Sequence, residues 1–158
     1  MRSIDLLKEQ HRSLEALVSQ TLEARGPERV RLIGALAEEL TLHAVVEQEH
    51  LYPALQQSGL EQAAQSSTRE DQQIRGLVAE VLELKRSDPR LDAKVAELGT
   101  MTREHVASEE RNLFPALEQA FSTEQLEDMG QAMSGLASRL RGAELLKGAD
   151  EQEEPARA

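Results

Sequence analysis

The segment HAVVEQEHLYPAL, His43 to Leu55, returns 62 positions later as HVASEERNLFPAL, His105 to Leu117, with His, Glu, Leu, Pro, Ala and Leu in the same register. The match also extends backwards along the chain. His11, Leu14 and Val18 align with Asp71, Ile74 and Val78 at an offset of 60, and Leu36, His43, Glu47 and Leu51 align with Leu98, His105, Glu109 and Leu113 at 62. One hairpin-sized unit is therefore used twice. A chain of that kind is expected to fold with its halves related by a pseudo-twofold axis through a shared core.

Within each unit the core-facing positions alternate spacings of three and four, the signature of a helix with one buried face. Ile4, Leu7, His11, Leu14 and Val18 form the first seam, and Ile33, Leu36, Leu40, His43, Glu47, His50 and Ala54 the second. Asp71, Ile74, Val78 and Val81 form the third, and Leu91, Val95, Leu98, Thr102, His105, Glu109, Asn112 and Ala116 the fourth. Leu126, Met129, Met133, Leu136 and Leu140 suggest a fifth helix, with Ser122 and Gln125 spaced as a capping box at its start. Gly, Pro or capping residues interrupt the pattern at Arg25–Glu28, Gln57–Leu60, Ser87–Arg90, Phe121–Gln125 and Lys147–Asp150. Aromatic residues make up 2% of the chain, and good helix formers dominate it. The predicted fold is all-α: an up-down-up-down antiparallel four-helix bundle with an additional C-terminal helix. Residues 1–147 make one domain and residues 148–158 a disordered acidic tail.

The seams carry residues that an apolar core does not tolerate alone. His11, His43, Glu47, Asp71, His105 and Glu109 are all expected inside, with His50 a seventh candidate. An uncompensated buried ion costs roughly several kcal/mol. No Lys or Arg stands beside them in the seams, so a bound cation is the economical partner. His and Glu at i and i+4 lie on one helix face about 6 Å apart along the axis. Two such helices face to face supply terminal imidazoles and shared carboxylates to a dinuclear site, to which His11 and Asp71 add one ligand each.

Composition narrows the chemistry. The chain has no cysteine, so any metal is held by nitrogen and oxygen; such donors suit iron or manganese, with zinc also compatible. The absence of cysteine also favours a cytoplasmic setting over a secreted one. The formal charge of −11 argues against nucleic acid as a partner, because phosphate binding needs a basic surface. Neither an 18-residue apolar run nor a signal-peptide h-region is present, so no membrane association is expected.

The duplicated H-x-x-x-E followed by L-[YF]-P, with His11 in EQHRSLEAL before the first copy, resembles the hemerythrin HHE cation-binding family over roughly residues 4 to 120. That resemblance implies a four-helix bundle around a non-haem diiron centre that binds dioxygen, peroxide or nitric oxide, or that senses iron or oxygen. It implies terminal ligation by His11, His43 and His105 and bridging by Glu47 and Glu109. Asp71 stands where the family usually has histidine. Its negative charge is expected to favour the ferric state and to disfavour reversible oxygen carriage. His50 is left with three roles: an extra ligand, a hydrogen-bond donor to a bridging carboxylate, or a proton shuttle.

The leading expectation is a diiron sensor or scavenger acting on oxygen, peroxide or nitric oxide as monomer or homodimer, with peroxide-consuming activity open. A metal store or metal sensor without turnover is the first alternative. A metal-free helical interaction module is the second. Tyr52 and Phe114 read as hydrophobic closures of the bundle end.

Overall fold

The structure, a computed structural model, describes the backbone of residues 1–153 and the side chains of residues 1–143. The helices are α1 (Ser3–Glu23), α2 (Gly26–Val46), α3 (Tyr52–Gln57), α4 (Glu61–Glu83), α5 (Leu91–Ser108), α6 (Phe114–Ala120) and α7 (Thr123–Glu153). Short π turns, Glu47–Leu51 and Glu109–Leu113, join α2 to α3 and α5 to α6 without breaking the rod. No strand occurs among the described residues. The expected four-helix bundle with an extra C-terminal helix is what forms. α1 packs on α2 and α5, α4 packs on α5 and α2, and α7 lies across α1 and α2.

Local chemistry places the breaks. Gly26 adopts φ +62° where α1 hands over to α2, and Gly59 adopts φ +77° after α3. There the Leu60 N–H reaches the Leu55 carbonyl at 2.8 Å, a glycine-dependent helix stop. Ser122 and Gln125 exchange the two bonds of a capping box at 2.9 and 3.1 Å, as their spacing predicts. At the far end the helix continues past Lys147 to Glu153, beyond the boundary expected for the acidic tail. A single Gly148 among good helix formers costs only about 1 kcal/mol and does not compel a stop. Residues 154–158 of that tail lie outside the described residues.

Two apolar clusters fill the bundle. One gathers Leu7, Val46, Leu51, Leu55 and Leu117 and takes Leu126 and Met133 from α7. The other gathers Leu14, Leu36, Ile74, Val78 and Leu98. His11 separates Leu7 from Leu14 on α1, and Asp71 separates Ala64 from Ile74 on α4, so the polar layer lies between the clusters. α7 closes one end and crosses the N-terminus tightly. A Cβ at Gly130 would stand 2.1 Å from the Met1 carbonyl oxygen. No described helix is long and apolar enough to cross a membrane.

The heptad reading holds through Glu47 and Glu109 and then slips. His50 and Ala54 were expected inside; instead Leu51, Tyr52 and Leu55 are buried, with His50 and Ala54 half-exposed. In the second unit Asn112 and Ala116 give way to Leu113, Phe114 and Leu117. The cause is a widened turn. Pro53 and Pro115 have no N–H, so the carbonyls of Glu49 and Arg111 lose their usual donors. The Tyr52 N–H bonds the Glu47 carbonyl and the Phe114 N–H bonds the Glu109 carbonyl, five residues back in each case. One extra residue per turn rotates everything downstream by about one position.

Candidate metal centre

The six expected residues meet in one layer, each nearly inaccessible: His11, His43, Glu47, Asp71, His105 and Glu109 are 3% exposed or less. α2 and α5 end here, so His43 with Glu47 and His105 with Glu109 straddle the start of each π turn. His43 Nε2 stands 3.1 Å from Glu47 Oε1, and His105 Nε2 stands 2.7 Å from Glu109 Oε1. Glu109 Oε1 also faces the Nε2 atoms of His11 and His43 at 3.4 and 3.5 Å. His105 Nε2 lies 3.3 Å from Asp71 Oδ1.

These donors form two overlapping groups. His11, His43, Glu47 and Glu109 each present one ligand atom within 4.8 Å of the others, and Glu47, Asp71 and His105 do the same. Glu47 belongs to both. His50 belongs to neither, because the π turn carries it off the seam.

Close as they are, these atoms do not satisfy one another. The Nε2 atoms of His11, His43 and His105, Glu47 Oε1 and both carboxylate oxygens of Glu109 are buried without a hydrogen-bond partner. Each such orphan costs about 1–3 kcal/mol, so their concentration in one layer is the mark of a site that expects a cation.

Around them lies a second ring of residues that sequence reasoning missed. His43 Nδ1–H donates to Gln10 Oε1 at 2.8 Å, His105 Nδ1–H to Glu70 Oε2 at 2.7 Å, and His11 Nδ1–H to Glu110 Oε1 at 2.9 Å. Every acceptor therefore fixes the tautomer that turns Nε2 inward as a lone pair, the arrangement that supports metal-ligating histidines. The signal was present in the repeat. Gln10 and Glu70 occupy equivalent positions, one residue before His11 and Asp71.

Tyr52 does more than close the bundle. Its hydroxyl lies 2.8 Å from Glu47 Oε2 and 2.5 Å from Asp71 Oδ2. One phenolic proton faces two carboxylates there. Phe114, its repeat equivalent, stacks on the His11 ring with centroids 5.5 Å apart and planes 8° from parallel. Thus each aromatic residue suits its neighbour: the phenol bonds Asp71, and the bare ring stacks on His11.

Burial and close carboxylates pull the titrating groups of this layer in opposite directions. Burial opposes protonation of His43, but the charges of Glu47 and Glu109 outweigh it and raise the imidazole to about 10. Burial likewise opposes charge on His105, and Glu109, Glu47 and Glu70 raise it well above the ordinary range. Burial and the Glu47 charge push Asp71 up to about 7, against the opposing pull of His105 and Tyr52. Glu109 is held well below the usual carboxylate range, because His105 outweighs the burial that opposes its charge.

The comparisons with known proteins agree with this geometry. In the crystal structure of a hemerythrin HHE cation-binding domain-containing protein from Mycobacterium kansasii, the fold superposes with a TM-score of 0.83 at 27% identity, over 93% of this chain and 91% of that one. An uncharacterized Mycobacterium tuberculosis protein, Rv2633c, is 28% identical over 148 residues, 92% of this chain and 91% of its own length. A protein of Nostoc sp. named DNA nickase is 25% identical over 138 residues. That match covers 87% of this chain but only 39% of the nickase, so the chain spans well under half of that relative. The family model for the hemerythrin HHE cation-binding domain matches residues 2–117, which contain all six buried donors and both copies of the duplicated motif, and the chain belongs to that family.

Proposed function

We propose that the protein is a non-haem diiron protein that binds or reacts with dioxygen, peroxide or nitric oxide, as a sensor or scavenger. The observation that carries this reading is the pair of donor groups sharing Glu47, lined by six buried polar atoms with no hydrogen-bond partner. His11, His43 and Glu109 would hold one ion and Asp71 with His105 the other, Glu47 serving both and Glu109 reaching across. The donor set is nitrogen and carboxylate oxygen only, which fits iron and also accepts manganese or zinc. An iron pair, when bound, supplies electron transfer and Lewis acidity to a small oxygen- or nitrogen-oxide ligand.

The chain's own residues add asymmetry to that chemistry. Two histidines converge in the first group, against one in the second. Asp71 contributes a further negative charge there, and two divalent ions balanced by Glu47, Glu109 and Asp71 retain a net charge of about +1. Such a site favours the ferric state, which supports peroxide or redox sensing over reversible oxygen carriage. Tyr52, hydrogen-bonded to Glu47 and Asp71, holds a proton beside the second group.

Metal analysis and an absorption spectrum of protein purified in air test the reading. Two irons per chain with oxo-bridge charge-transfer bands are expected, and one zinc per chain would overturn it. Peroxide turnover by the iron-loaded protein then separates a scavenger from a metal store or metal sensor, in which stability tracks occupancy without turnover.

A further inference from the structure

The repeat allows the two seams between hairpins to be compared position by position. At the α1–α5 seam the helices close on each other. A Cβ at Gly99 would stand 3.1 Å from Val18 Cγ1 and 3.7 Å from Leu22 Cδ1, and Arg103 Nη2 reaches across to Ser19 Oγ at 3.1 Å. Its repeat equivalent, the α2–α4 seam, has Ala37 for Gly99, Thr41 for Arg103 and Ala79 for Ser19. The glycine that permits close approach and the pair that bridges the gap are both gone. Ala44 also replaces the larger Val106.

The outcome is a cavity of about 440 Å³ between α2 and α4, whose inner end is formed by His43, Asp71 and His105. It reaches both donor groups, at Asp71 and His105 of the second and His43 of the first. A diatomic gas or hydrogen peroxide needs little more room than a water, about 30 Å³, whereas this volume lies in the range of organic-ligand pockets. Leu82 lines the outer end and is 57% exposed, while its equivalent Leu22 packs into the apolar cluster beside Gly99. From Asp71 to Leu82 the groove runs about 16 Å along α4. Arg75 stands in its wall where the closed seam has Glu15, donating to Gln48 at 3.1 Å. No carboxylate lies within ion-pair distance of Arg75 among the described residues. On a chain of net charge −11, that is a local preference for an anion.

We infer that the α2–α4 groove binds a free, medium-chain aliphatic carboxylate, its alkyl chain along Val78 and Leu82 and its carboxylate at Arg75, one turn from Asp71. The binding site is built from the chain's own residues. Only the placement of the bound acid beside a metal centre rests on the preceding function. A bound chain of this kind would lie across the opening through which His43, Asp71 and His105 are reached, which makes the groove a specificity-determining entrance.

Titration calorimetry of the full chain with decanoate, and with acetate as the short-chain control, tests the inference. Decanoate is expected to bind one per chain with a dissociation constant of micromolar order, and acetate to show no saturable binding. Arg75→Gln and, independently, Leu82→Glu should each weaken decanoate by about tenfold or more. The pair Thr41→Arg with Ala79→Ser, which restores the bridge of the closed seam, should abolish binding with melting temperature and metal content unchanged. No saturable decanoate binding to the native chain, or native affinity in both Arg75→Gln and Leu82→Glu, overturns the inference. Metal content is measured on the same samples. A chain that loads two ions yet ignores decanoate overturns the groove alone, and one that binds decanoate without loading metal overturns the diiron reading alone.

Discussion

Replacing Gln10 by leucine removes the acceptor from His43 and changes almost nothing else. The side chains are similar in volume, Gln10 is 8% exposed, and its amide oxygen accepts from His43 Nδ1 at 2.8 Å. Without the acceptor, the Nδ1–H is buried and unpaired, at a cost of about 1–3 kcal/mol. For a chain of this length that corresponds to a fall in melting temperature of roughly 2–12 °C for the metal-free protein. The imidazole is also freed to rotate or change tautomer, and losing such a supporting bond typically costs 10–100-fold in metal affinity. At fixed metal concentration the metal-induced stabilisation then shrinks by a further ~1.4–2.7 kcal/mol. The assay is differential scanning calorimetry with and without metal, paired with a competition titration against a chelator of known affinity. Gln10→Glu is the control, because it keeps an acceptor and copies Glu70 of the other repeat. Wild-type metal affinity in Gln10→Leu, or an equal loss in both variants, would refute the idea that the outer ring orients the histidines.

Other perturbations probe the remaining links. Glu109→Gln, altering the carboxylate that faces all three cluster histidines, should reduce loading to one ion or fewer per chain by elemental analysis. His50→Ala should leave metal stoichiometry at the wild-type value, since His50 lies outside both donor groups; a lost ion would return it to the ligand set. Asp71→His combined with Tyr52→Phe reproduces the stacked His11–Phe114 arrangement and removes a negative charge, so the reduction potential of the iron-loaded protein should rise in electrochemical titration. Gly130→Ala drives a methyl into the Met1 carbonyl and should destabilise by about 1–3 kcal/mol or more, read as a lower denaturant midpoint with unchanged metal affinity.

Much of the fold and of the inner site could be read from particular residues. The duplicated motif and the three-four spacing place His11, His43, Glu47, Asp71, His105 and Glu109 on buried stripes, and all six are buried. The same spacing misplaces His50 and Asn112. Heptad counting assumes a constant turn, and Pro53 and Pro115 widen the turns that begin at Glu47 and Glu109, so the periodic rule expires where the backbone widens. Tyr52 was legible only as an aromatic, because its phenol finds Asp71 from another helix.

What the sequence by itself determined is what local periodicity and composition encode: helices, their buried faces, the twofold use of one hairpin, and a nitrogen–oxygen donor set free of sulfur. The tertiary structure decided which atoms meet. The bonds that aim the three imidazoles join residues 33, 35 and 99 positions apart, and no helical period connects such pairs. It also decided which of two equivalent seams stays open. That depends on whether small residues on one helix meet a bridging pair or empty space on its neighbour, a property of two surfaces in contact and of neither helix alone.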